Sequence, residues 1–187
     1  MAWNDDKPID GWLDILNLLE RLAPTKPLLP SDRSERAEAV GLANEICGEV
    51  GLGWNRRLSL YRPAFALATP PQRALTMGGK YGYTDSTARA AIGYQISALR
   101  LLAARLEAQH AAGSEFFVGS SLSVVDFYWA AFSNIFVLPS PEVVPIDPAR
   151  RSMFEQIEPE VKAAIVPILV QHRDRIMAQH FACPMQF

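Results

Sequence analysis

Two cysteines in 187 residues, Cys47 and Cys183, are too few and too far apart for a disulfide framework, and no C-x-x-C pair offers a zinc corner. The chain reads as a reduced cytoplasmic protein with no metal expected. Charge of one sign is equally scarce. The 18 Lys and Arg against 20 Asp and Glu leave −2, without a basic stripe, so nucleic acid is not an expected partner. No apolar run reaches the roughly eighteen residues of a membrane span, and MAWNDDKPID lacks the basic-then-apolar order of a secretion signal. A membrane is therefore not an expected partner either. No segment alternates convincingly with period two, and no repeat or low-complexity tract is present.

What the chain has is apolar spacing of three and four. With 49% hydrophobic residues it can bury one sizeable core, and the spacing predicts an all-α helical bundle. Trp12, Ile15, Leu16, Leu19 and Leu22 stripe a first helix over 10–23, which Pro24 ends. Ser31 or Asp32 caps a long second helix with the stripe Val40, Ala43, Cys47, Val50, Trp54, Leu58 and Tyr61, stopped by Pro63. Pro70-Pro71 and Gly78-Gly79 bracket a short helix. Thr84 or Asp85 opens a third long helix that runs to Gly113. Asp147-Pro148 and Glu158-Pro159 each open a helix with proline at its first position, and Pro167 predicts a kink within the last one.

Few residues in this pattern suggest chemistry. Glu107 and His110 form a single Glu-x-x-His fragment, whereas a di-iron bundle needs two plus further carboxylates. His172 falls on an apolar face between Leu169 and Ile176, as a hydrogen-bonded core histidine or a proton-transfer group. Cys47 lies on a buried stripe and reads as a small hydrophobe. Glycines at 41, 48, 51 and 53 predict close helix packing rather than a phosphate loop, since no strand precedes them and no Lys-Ser or Lys-Thr follows.

The stretch FFVGSSLSVVDFYWAAF is the most specific feature. Ser123 and Asp126 have the spacing of a capping box, in which the acid reaches back to the serine N–H at the positive end of the helix dipole. This places a carboxylate among Val125, Phe127 and Trp129 as a structural cap. The run resembles the segment of glutathione S-transferases that opens the buried central helix of their all-helical C-terminal domain. PLLPSDRSERAEAVGLANEICGE resembles the linker and first long helix of that domain, and KYGYTDSTARAAIGYQISALRLLAARL the next. DDKPIDGWLDILNLLERLAP resembles the last helix of the thioredoxin-like domain that precedes it in the family, most of which has no counterpart here. The resemblance thus divides the chain into 1–27, a last helix plus linker, and 28–187, the helical domain.

That resemblance implies a truncated or divergent transferase-like protein, with an apolar cleft for a small electrophile against the inner face of the second helix. Asn44, Glu45, Glu49, Trp54, Arg57 and Tyr61 would line it, with His172 a further candidate; a solvated charged face or a dimer rim is the competing reading of the charged residues. Glutathione would be the co-substrate. Where the family grips its γ-glutamyl end with an acidic residue and a serine, this chain has Gly11 and Trp12. No catalytic residue is assigned. Two other functions fit the same sequence: a non-catalytic module covering its exposed helical face with a second copy or another protein, and an autonomous enzyme or apolar-ligand binder with a pocket inside the bundle.

Overall fold

The computed structural model describes residues 1, 3, 4 and 7–185. Every regular element among them is helical: α1 (Trp12–Leu22), α2 (Arg33–Cys47), α3 (Leu52–Phe65), α4 (Gln72–Tyr81), α5 (Asp85–Ala111), α6 (Val124–Phe132), a 3-10 turn (Ser133–Ile135), α7 (Pro148–Glu155), α8 (Pro159–Ala164) and α9 (Pro167–His180). Local chemistry sets several of these starts. The Asp32 carboxylate accepts from the backbone N–H of Ser34 (2.9 Å) and Glu35 (3.0 Å) at the head of α2. Thr84 and Thr87 cap α5 reciprocally, and Asp147 accepts from Arg150 N at 2.9 Å ahead of Pro148.

Helix α6 is the axis of the bundle. It packs between α2 and α9, while α5 crosses α3, α8 and α9. Trp129 is buried at its centre and donates from Nε1 to the Leu169 carbonyl (2.9 Å), joining α6 to α9. Leu16 of α1 sits in the same apolar cluster as Ile46, Leu99, Leu102, Phe117, Trp129 and Leu169. Helix α1 therefore packs into the same core as the rest. A smaller cluster of Ala130, Val144, Ile176 and Met177 closes the far side of α6.

Three expectations need correction. The long second helix is two helices, broken between Cys47 and Leu52, with Val50 in the left-handed region (φ 63°). A Cβ on Gly48 would lie 2.6 Å from the Asn44 carbonyl oxygen, and one on Gly51 would lie 2.7 Å from it. These two glycines let the chain turn back against the end of α2; they do not continue it. Val50 consequently leaves the stripe and is exposed. Pro63 lies inside the last turn of α3 and does not stop it. Pro167 produces no kink, because α8 has already ended at Ala164 and Pro167 opens α9 from its first position, where a missing N–H costs nothing.

Helix α1 also turns differently from its predicted stripe. Leu16 and Leu18 are buried, whereas Leu19 and Leu22 are exposed. Of the four glycines read as packing contacts, Gly53 alone closely meets a helix other than α2: its Cβ would lie 2.5 Å from the Phe132 ring, while Gly41 has nothing within 4 Å.

Candidate functional site

The break before α3 decides which of its side chains face inward. Asn55, at its first turn, donates to the carbonyls of Val50 and Gly51 and fixes the new helix start. One residue on, Arg56 is fully buried. Its Nε donates to Ile135 O and its Nη2 to Phe154 O and Gln156 O, each at 2.9 Å. Glu158 supplies the counter-charge, 3.9 Å from Nη1. Burial pulls the Arg56 guanidinium down to about 10, with Glu158 acting in the opposite direction. Arg56 thus ties α3 to the end of α7 and to the turn that opens α8.

Those ties join α3 to the end of α7, and a groove lies between the two helices. The larger cleft, about 500 Å³, is lined by Leu60, Pro63, Ala66, Met153 and Ile157, with Ser59, Arg62 and Glu158 as its polar members. A second cleft of about 370 Å³ continues past the shared Leu60 and Met153 to Tyr61, Pro71, Arg73 and Arg150. The Ser59 hydroxyl accepts from Gln95 Nε2 at 2.6 Å, and its own contact to Asn55 O is long, 3.4 Å. Among the described residues Arg62 and Arg73 are in no ion pair, while Arg150 is held by Asp147 at 3.5 Å. The trough is thus largely apolar, with one arginine in each half that is in no ion pair among the described residues and with the Glu158 carboxylate on the wall of the first.

A second polar constellation is sealed inside the core. Asp126 accepts from Ser123 N (2.7 Å), Ser123 Oγ (2.8 Å) and Phe117 N (3.1 Å). His172 Nε2 lies 2.9 Å from Asp126 Oδ1, off the line of a straight hydrogen bond, and both side chains are wholly buried. Arg175, which can only donate, stands 3.2 Å from His172 Nδ1 and so places the ring proton on Nε2. Serine, histidine and aspartate are all present, but wired with the carboxylate in the middle. Ser123 spends its proton on Asp126 and the imidazole does not touch the serine oxygen, so no nucleophile is activated. The arrangement is a structural clamp between α6, α9 and the 114–123 loop.

The sequence candidates divide between these places. Asn44, Glu45 and Glu49 are exposed at the end of α2 and in the break. Trp54 packs edge-on against Tyr81 (4.8 Å), and Arg57 donates to Gly53 O (2.9 Å) between the Tyr81 and Phe132 rings. Tyr61 alone among them lines the groove, and His172 belongs to the buried clamp. Cys47 Sγ donates to Ala43 O, and burial pushes its thiol up to about 12, far from a nucleophile's range. Glu107 and His110 meet no third ligand, for no cluster of three metal-ligating residues occurs among the described residues.

Ser59, Arg62, Met153 and Glu158 were not singled out by sequence. Their only advance signal is the pair of cations at 56 and 62 on α3, legible once α3 has its own register. No helix of the described residues is long and apolar enough to cross a membrane. No protein-family model, curated protein or solved structure matches this chain.

Proposed function

We propose that the chain is a helical small-molecule-binding domain, of the transferase-like build its sequence resembles, which holds an amphiphilic anion in the groove between α3 and α7. The observation that carries this reading is the groove itself: an apolar cleft of about 500 Å³ with an unpaired arginine on its wall. That size lies within the usual range for small-molecule sites. An apolar body would displace water from Leu60, Pro63, Met153 and Ile157, and an acidic head would take two N–H donors from Arg62. The transferase resemblance implies an apolar electrophile against the inner face of the 44–61 segment, of which Tyr61 alone among the candidates lines this groove. Under this reading the chain supplies binding and orientation, and the activation of a thiol such as that of glutathione is not its part.

Isothermal titration with decanoate, decanol and decylammonium tests the reading. Decanoate is expected to bind most tightly, and Arg62→Ala to weaken it about ten-fold while leaving decanol unchanged. Absence of binding by all three would end the proposal.

A further inference from the structure

Helix α5 is the longest element, and one of its faces is left in solvent. Ala90, Tyr94, Ser97, Leu101, Ala104 and Ala108 follow one another at alternating steps of four and three, and all are exposed. This is the seam spacing of a two-stranded coiled coil. The seam is not merely small: Tyr94 is 56% and Leu101 46% exposed, among the largest apolar surfaces the molecule shows. Arg100 and Glu107 flank it on one side, neither in an ion pair among the described residues, and Arg105, paired with Glu38, flanks it on the other.

Beside the seam, α5 and α8 enclose a groove of about 280 Å³. Its floor is Ala103, Ala104, Ala163 and Ala164, and its rim carries Arg100, Glu107 and Glu160. The alanine floor is apolar. The rim holds two acids and one base.

We propose that a second copy of this chain covers the face, with the two α5 helices antiparallel. In that register Leu101 of each copy enters the alanine-floored groove of the other beside Ala104, Ser97 faces Ala108, and Tyr94 faces Ala111. Every large side chain meets a small one. The same two-fold axis brings Arg100 of one copy to Glu107 and Glu160 of the other, twice over, so the charges are self-complementary. A parallel pairing would instead set Tyr94 on Tyr94 and bring Arg100 beside Arg105, base against base. The surface selects both its partner and the partner's direction. This inference is independent of ligand binding, since the α3 groove shares no lining residue with the face.

Sedimentation equilibrium of the full chain is the test, with circular dichroism and urea unfolding as controls. The wild type is expected to dimerise, and Leu101→Arg to be monomeric with an unchanged spectrum and monomer stability, because the residue it alters is exposed. Arg100→Glu should weaken the dimer about ten-fold or more, and adding Glu107→Arg should restore it in part, since Glu160 still faces position 100. A wild type that stays monomeric to its solubility limit, a dimer that survives Leu101→Arg, or a double reversal that fails to recover association would each overturn the proposal.

Discussion

Asp126 Oδ1 stands 2.9 Å from His172 Nε2 with neither side chain reached by solvent. The carboxylate faces three other donors as well, so its charge is spread over Ser123, Phe117 and the imidazole. A capping residue has become the point where the loop before α6, α6 itself and α9 are fastened together. This explains how an acid tolerates a site among Val125, Phe117 and Trp129: its two oxygens accept three hydrogen bonds and the imidazole stands beside them.

Removing that acceptor should cost more than a surface cap does. Asp126→Ala strands two buried backbone N–H groups and the His172 ring together, and is expected to lower unfolding free energy by about 3 kcal/mol or more. His172→Ala should cost less, and the double variant less than the sum, with a coupling of about 1 kcal/mol or more. Urea unfolding of the four proteins measures it. A loss for Asp126→Ala below about 0.5 kcal/mol would refute the clamp.

Arg56 is the corresponding fastener for the groove. Arg56→Met keeps an unbranched apolar stem but abandons the three carbonyls that the guanidinium holds, and should destabilise by about 2 to 4 kcal/mol. Glu158→Gln, at the partly exposed end of the same pair, should cost under about 1 kcal/mol. Equal losses for the two would show that the charge pair, and not the carbonyl contacts, holds α3 to α7.

What could be read in advance follows from how local each determinant is. The Ser123–Asp126 box, the Thr84 cap and the Asp147-Pro148 start are settled within three or four residues, so sequence displays them directly. The turn at Gly48 and Gly51 was seen only as glycine, because the same residues serve a packing contact or a chain reversal, and the choice depends on the Asn44 carbonyl behind them. That turn sets the register of α3, and with it which of Arg56, Arg57 and Arg62 goes inward. The carbonyls that hold Arg56 are 79 to 100 residues away along the chain, beyond any local pattern. The groove inherits this distance, since α3 gives one wall and α7 the other.

Glycine roles can be separated by experiment. Gly53→Ala would drive a methyl into the Phe132 ring, 2.5 Å away, and is expected to destabilise by about 1 to 3 kcal/mol despite the better helix propensity. Gly41→Ala adds a methyl in open space on the exposed side of α2 and should stabilise by about 0.5 to 1 kcal/mol. Chemical unfolding of both variants checks the pair. The same sign for both would mean that the contact between α3 and Phe132 is looser than described.

Alkaline stability offers a test of the packing between α2 and α6. Burial pushes the Cys47 thiol from 9.0 up to about 12 and, with Cys47 adding to it, the Tyr128 phenol from 10.0 up to about 12. Both groups are neutral when protonated, so the folded chain holds these protons more tightly than the unfolded one. The stability this contributes is complete below about pH 9 and is lost as pH rises towards 12. Arg56 acts with the opposite sign, because its folded value, lowered to about 10 from 12.5, means that the unfolded chain keeps the proton longer and stability gains with pH above 10. Between pH 9 and 10 the thiol therefore acts nearly alone. Over that interval wild-type unfolding free energy should fall, and Cys47→Ala should flatten the slope while Tyr128→Phe leaves it in place. Urea midpoints at half-unit steps of pH give the measurement, and an unchanged slope in Cys47→Ala would show that the thiol is not buried against α6.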